Sequence, residues 1–485
     1  MSTPEDRPSR SVIPITPVPA EGDVEMVSLY QPHQKIYPRS VQGVFAQWRW
    51  LMVVITQLVF YGLPWLEWGQ RQAVLFDLGA RRFYIFGLVL YPQDFIYLTA
   101  LLVISALSLF LFTAVAGRLW CGFACPQTVY SEIFIWLERQ FEGDRSARMR
   151  LDAAPMSLNK AWRKTGKQLA WIVLSLWTGF SFVGYFTPIR ELTASILSLG
   201  FGPWEIFWIL FYSLATYGNA GFMREQVCKY MCPYARFQSA MFDKDTLIVT
   251  YDEARGEPRG ARSKKADAKA LRLGACVDCT LCVQVCPTGI DIRKGLQYEC
   301  IGCGACVDVC DNVMDKVGYE RGLIKFSTQN AMDKGWSWAQ TVRRIFRPRV
   351  LVYSAVLWAI IIGVGVSLWL REPFKVDIER DRATMARIVA GGKIENVYRL
   401  QIMNAAEQTL SFQLQVDGLP GLSLVTEPMV DVDATESRWV SVRLQVPYDA
   451  APSGSHPIHF RIESRSPDGQ LVGRLSEKTV FLVPR

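Results

Sequence analysis

Half of the 485 residues are hydrophobic and 16 are Trp, a balance unusual in a soluble protein and normal in one with several membrane spans. The net charge of +8 reads as the Lys and Arg of membrane-flanking loops; no basic module with stacking aromatics accompanies it, so no nucleic-acid partner is expected. Only three histidines occur, His33, His456 and His459, and none lies in an apolar run, which argues against haem held by two histidines within the bilayer.

In chain order, residues 1–45 are rich in Pro, Ser and charge and read as a disordered tail without the apolar core of a signal peptide. Apolar segments of roughly 18–23 residues, long enough for roughly 30 Å of hydrocarbon, predict five spans near 48–66, 94–116, 168–187, 201–218 and 350–370. The fourth is weakest, with Gly and Pro near its start and Glu205 inside. Segment 83–91 is apolar but too short to cross and is expected to lie at the interface. Loop 117–167 holds nine Lys or Arg, and RRIFRPR precedes the fifth span, whereas loop 188–200 has only Arg190. The positive-inside rule then puts the N-terminus, 117–167 and 219–349 in the cytoplasm, and the C-terminal domain outside, in the periplasm of a Gram-negative cell.

That last domain reads as all-β. Phe412, Leu414 and Val416 alternate with polar residues, as do Val440, Val442, Leu444 and Val446, and again Ile458, Phe460 and Ile462. Period-2 runs separated by Gly, Pro and Asp predict an immunoglobulin-like sandwich. The expected fold is thus a multidomain membrane protein: tail 1–45, a four-span α-helical domain 46–245, a dicluster ferredoxin domain 246–349, a fifth span 350–371 and an extracytoplasmic β-sandwich 372–485.

The cysteines carry the chemistry. CVDCTLCVQVCP at 276–287 and CIGCGACVDVC at 300–310 each read C-x2-C-x2-C-x3-C. Three cysteines of such a run wrap one cubane, and the fourth ligates the other cluster. Cys276, Cys279, Cys282 and Cys310 are therefore assigned to one [4Fe-4S] cluster, and Cys300, Cys303, Cys306 and Cys286 to a second. Gly302 and Gly304 are expected to let the backbone turn tightly. Zinc also accepts four thiolates, but seldom needs eight at this doubled spacing. Asp311 stands where a second proline would follow.

Two further pairs lie in WCGFACPQ (Cys121, Cys125) and VCKYMCPYARFQ (Cys228, Cys232), each just after an expected span. The i,i+4 spacing puts each pair on one helix face, with Pro126 and Pro233 marking a kink or a start. If the second and fourth spans are neighbours, the four thiols converge. They read either as small core residues or as soft ligands for Cu(I), zinc or iron–sulfur chemistry. Met223, Met231 and Met241 read as thioether ligands or as packing. Arg118, Arg224 and Arg236 either lower thiol pKa or anchor to lipid phosphates.

The two CxxxCP motifs, the double ferredoxin motif, the five-span layout and the β-domain together resemble the cytochrome c oxidase accessory proteins called CcoG, FixG or RdxA, over residues 30–485. That resemblance implies an inner-membrane protein that assists assembly of the cbb-type cytochrome c oxidase, acting as a cupric reductase that supplies Cu(I) to the oxidase or its copper-delivery factors. It implies that the clusters supply electrons and that Cys121, Cys125, Cys228 and Cys232 carry copper as the catalytic site. The electron donor is left unnamed. The alternative is a quinol-oxidising electron-transfer subunit of a respiratory chain.

Overall fold

Helices that are apolar all round, not along one stripe, have no aqueous side. In the computed structural model, which describes residues 35–198, 200–262, 271–381 and 386–484, three helices have this character. They are α1 (Val44–Gly62), α2 (Phe95–Ala116) and a last helix at Pro348–Trp369. Leu58, Ile96 and Leu102 on them are more than 60% exposed, which suits lipid and not water. They coincide with the first, second and fifth expected spans, and the chain is a membrane protein.

The third and fourth expected spans fall on helices of another kind. Between α2 and them lie α3 (Leu119–Phe123) and α4 (Pro126–Glu142). The third expected span belongs to α5 (Leu158–Val183), which opens with Lys160, Arg163, Lys164 and Lys167. The fourth is α6 (Pro203–Gly218), whose 16 residues reach only about 24 Å. Among the described residues, length and composition alone therefore carry three spans. Helix α6 continues through two π turns, Asn219–Met223 and Val227–Met231, to α7 (Pro233–Met241). In the ferredoxin segment, α8 (Ala305–Val317) follows the second cysteine run, and α9 denotes Pro348–Trp369.

Residues 67–94 fold back between α1 and α2. Strands β1 (Val74–Asp77), β2 (Arg82–Ile85) and β3 (Leu88–Leu90) form an antiparallel sheet. The segment expected at the membrane interface is thus part of a sheet: Tyr84, Val89 and Tyr91 bury against Met403 of the C-terminal domain. Tyr91 Oη donates to the Asn404 carbonyl at 2.8 Å. Buried Asp94 accepts from Arg371 at 2.6 Å and from Lys375. A short apolar run gave no sign of this protein partner, which lies 313 residues away in sequence.

Strands β4 (Ile248–Tyr251) and β5 (Ile324–Ser327) pair antiparallel and bracket the ferredoxin segment. The C-terminal domain follows as β6 (Phe374–Arg380), β7 (Arg387–Val389), β8 (Lys393–Asn404), β9 (Leu410–Asp417), β10 (Ser423–Leu424), β11 (Met429–Val432), β12 (Ser437–Pro447), β13 (Gly454–Arg465) and β14 (Leu471–Val483). One sheet runs β10-β12-β8-β6 with β7 beside β8, the other β11-β9-β13-β14, all antiparallel. The expected alternation sets the core: Phe412, Leu414, Val442, Leu444, Val446, Ile458, Phe460 and Ile462 are buried, and Tyr398, Leu400 and Phe481 join them. Val416 and Val440 pack at its margin.

The expected disordered tail splits. Residues 1–34 lie outside the described residues, but Pro38 is buried and the Arg39 amide donates to Gln284 O at 2.9 Å. The start of α1 is tied to the ferredoxin segment as well. Asp308 on α8 accepts from the amides of Phe45 and Ala46 at 3.1 and 2.8 Å, filling the acceptor role of a helix N-cap.

Candidate iron–sulfur and four-thiol site

The proline in each CxxxCP motif decides its shape. Proline lacks an N–H and pushes the preceding residue to extended backbone. Helix α3 therefore stops at Phe123, Cys125 is extended (φ −62°, ψ 129°), and α4 restarts at Pro126. In the second motif Cys232 is extended (φ −78°, ψ 110°) before Pro233 starts α7. Cys228 rides on the π turn, where the Cys232 amide reaches back five residues to Val227 O at 2.8 Å. The paired thiols thus do not share one helix face, as their spacing had predicted. Each motif is a helix junction with its second cysteine at the N-cap of the next helix. The amides of Gln127 and Thr128 at the start of α4 face the Cys125 thiol and favour its thiolate, against the stronger push of burial.

The two motifs hold each other through glutamines that sequence reasoning passed over. Gln127, just after the first motif, donates to Asn219 O (2.9 Å) and Arg224 O (3.1 Å) on the π-helical approach to the second. Gln238, on the helix after the second motif, accepts from Cys121 Sγ at 3.5 Å. The only signal was a Gln at the edge of each quoted motif. The four thiols meet in one electrostatic neighbourhood. Burial pushes Cys121 up to about 11, with Cys125 adding and Gln238 and Arg118 opposing. Burial pushes Cys228 up to about 12, with Cys125, Cys121 and Cys232 adding and Arg118 opposing. Met223 and Met231 are exposed, 36% and 56%, and Met241 is half-buried.

Two of the three arginines, Arg118 and Arg224, are held inside the protein and not on lipid phosphates. Arg118 is buried and donates to the carbonyls of Tyr298 and Ala235. Arg224 pairs with Glu138 at 3.0 Å over the Trp171 ring. Burial would raise the Glu138 carboxyl, but Arg224, Arg148 and Lys167 outweigh it and hold it below the usual range. Arg236 keeps interactions of its own within the chain.

The eight ferredoxin cysteines line two cavities. Cys276, Cys279, Cys282 and Cys310 line one with Leu281, Val309 and Leu323. Cys286, Cys300, Cys303 and Cys306 line the other, which Cys282 also touches. The turn between Cys300 and Cys306 is shaped by Gly302 and Gly304 at φ +67° and +73°, where a side chain is strained. Burial drives these thiols up: Cys282 to about 11, Cys300 and Cys310 to about 12, and Cys306 well above the ordinary thiol range. Such apolar cups hold four thiolates only against a cation. Among the described residues no three His, Cys, Asp or Glu side chains gather closely enough for a single metal ion, at the four-thiol junction as at the two cavities. A zinc site would need four sulfurs at about 2.3 Å from one point. Thiols spread round a cavity fit the larger cubane instead.

The four-thiol junction and the second cavity abut through backbone. A methyl on Gly122 would fall 2.8 Å from Cys303 Cα, and one on Gly302 would fall 3.2 Å from the Arg118 carbonyl carbon. Cys121 packs in the same buried cluster as Cys300, Cys303 and Cys306.

Known proteins share this layout. A family model for a 4Fe-4S dicluster domain matches residues 223–329, one for a 4Fe-4S binding domain matches 98–142, and one for the immunoglobulin-like fold at the C-terminus of FixG matches 364–484. The nitrogen fixation protein FixG of Rhizobium meliloti is 39% identical over 427 residues, covering 82% of this chain and 82% of its own length. Protein RdxA of Cereibacter sphaeroides is 40% identical over 445 residues, covering 88% and 92%. The chain belongs to the FixG/RdxA family. RdxB of Cereibacter sphaeroides, 39% identical over 431 residues, is a further family relative. The chain is accordingly a membrane iron–sulfur electron-transfer protein of the FixG family, with the family's β-domain at its C-terminus.

Proposed function

We propose that this protein reduces Cu(II) to Cu(I) at the four-thiol junction, with electrons from two [4Fe-4S] clusters, in support of cbb-type oxidase assembly. The contact of Gly122 with the Cys303 backbone carries this reading. It sets the first CxxxCP motif directly against the wall of the second cavity, with no layer of side chains between their backbones. Cys276, Cys279, Cys282 and Cys310 would hold one cluster, and Cys286, Cys300, Cys303 and Cys306 the other. When bound, the clusters supply single electrons at low potential.

The chain's own residues do the rest. Cys121, Cys125, Cys228 and Cys232 offer soft sulfur, which favours Cu(I) over Cu(II) and so draws the reduction forward. Copper is the substrate: one Cu(II) gains one electron, and one reduced cluster loses it. Gln127 and Gln238 keep the two motifs facing each other. The ferredoxin segment lies on the cytoplasmic side in this proposal and the β-domain on the periplasmic side, where it docks the partner.

Anaerobic purification with iron, sulfide and copper quantification tests the site. Two clusters give about eight iron per chain. Copper retained by the parent and lost from Cys121→Ala and Cys228→Ala, with iron steady near eight, supports the reading. Iron near twelve, falling to eight in those variants, would assign the junction to a third cluster and end the copper reading. Cu(II)-dependent reoxidation of the reduced clusters completes the test.

A further inference from the structure

A buried charge needs an opposite charge or it destabilises the fold by several kcal/mol. Arg118 is 5% exposed, yet no carboxylate lies within ion-pair distance of it among the described residues. Its hydrogen bonds run to two neutral carbonyls, Tyr298 O beside the second cavity and Ala235 O beyond the second CxxxCP motif. Its Nε is buried without a partner. An arginine remains protonated at every accessible pH, so it cannot escape the cost by neutralising.

The backbone that Arg118 holds belongs to the metal-binding motifs: Tyr298 stands two positions before Cys300, and Ala235 three positions after Cys232. The Arg118 backbone carbonyl meets Gly302 between Cys300 and Cys303, and the residue stands three positions before Cys121. One guanidinium thus ties together α3, the second cluster loop and α7.

We infer that Arg118 is the shared counter-ion of the second cluster and the four-thiol centre, a positioning residue that holds the two together and favours the arrival of negative charge at both. This rests on the reading of the junction as a metal–thiolate centre. A fixed positive charge beside a cluster makes the added electron easier to hold. Beside thiolates it stabilises the anionic, metal-ready form. Because it faces both, its removal should move two measurements that a purely structural arginine would leave alone.

The test is an EPR-monitored redox titration of the full-length protein, with Cu(I) retention measured by competition against a chelator. Arg118→Gln keeps a donor and loses the charge; Arg118→Lys keeps a charge but not the fork. The Gln variant, with iron near that of the parent, should show a more negative midpoint for one cluster and about tenfold weaker Cu(I) retention, the low end for loss of an outer partner at a metal site. The Lys variant should fall between. Unchanged midpoints and unchanged retention in the Gln variant overturn the inference. If that variant does not assemble, the Lys variant decides by the same two readings, since its shorter ammonium cannot span both carbonyls. A parent protein that binds no copper would sink the copper reading alone, because the cluster midpoint still reports on Arg118.

Discussion

The β-domain and the four-thiol junction are built by opposite routes. The β-domain is assembled from strands that carry their own instructions: alternation decides which face of β8, β9, β12 and β13 is buried, and Phe412, Leu414, Phe460 and Ile462 meet at 2% exposure or less. The junction is assembled from distant segments: Phe45 and Cys121 pack onto the core of the ferredoxin segment, and the stretch after the second CxxxCP motif joins through Ala235 and Gln238. A self-contained core is robust to changes elsewhere, whereas a junction depends on every segment arriving. Stability and function should therefore separate cleanly between the two regions.

The strongest way to break this comparison is to remove a cluster ligand. Cys303→Ser should eliminate the second cluster, taking iron to about half of the parent value. The same change should leave β-domain unfolding, followed by circular dichroism, where it was. A β-domain transition that moves with the iron would show the two regions to be one cooperative unit. The converse change is Phe460→Ala, which empties the middle of the sandwich and should destabilise that domain by ~3–5 kcal/mol. Iron and sulfide per chain should stay at the parent level in protein that remains folded.

The difference also explains what could be read from the amino acids. The eight ferredoxin cysteines and the β-strand alternation are local patterns, and both led to the cavity-lining residues and the core that the structure shows. Local rules misled where a distant partner intervened. Segment 83–91 gave no sign of the sheet it joins, because its partner Met403 is far along the chain. For Arg118 the sequence left two readings, thiol neighbour or lipid anchor, because the carbonyls of Tyr298 and Ala235 that hold it lie more than 100 residues away. The i,i+4 spacing of each CxxxC promised a shared helix face, and the prolines that follow overrode it. Helix α6, too short alone to span the hydrocarbon, shows how Gly, Pro and Glu205 near its start weaken an apolar signal.

A subtler change sharpens the comparison at the contact itself. Gly122→Ala places a methyl 2.8 Å from Cys303 Cα, where backbone, not a flexible side chain, must give way. Overpacking of this kind costs about 1–3 kcal/mol and should push α3 away from the cluster loop. Iron content should hold while Cu(II)-driven reoxidation slows by about tenfold or more, since 1.4 kcal/mol in a barrier is already about tenfold. Stopped-flow absorbance of the reduced clusters reads the rate. A parent-like rate in a variant with full iron would mean that electrons do not cross at Gly122.

The smallest expected effect belongs to the β-domain and depends on pH. Glu395 on β8 is 2% exposed and lies between its cross-strand neighbours Arg387 and Gln445. Burial would raise its carboxyl, but the hydrogen bonds from Gln445 at 2.7 Å and Arg387 at 2.8 Å prevail and hold it below the ordinary glutamate range. The folded domain then binds fewer protons here than the unfolded chain, whose Glu titrates near ~4.3. The stabilisation is complete above that value and disappears as pH falls through the lower folded value. Arg387 is half-exposed, so solvent screens the pair and the contribution is about 1 kcal/mol or less. Between pH 7 and pH 4 the parent should therefore lose slightly more β-domain stability than Glu395→Gln, whose amide does not titrate. Parallel pH profiles for the two proteins would show that the carboxylate makes no net contribution, and that the sandwich rests on its apolar core alone.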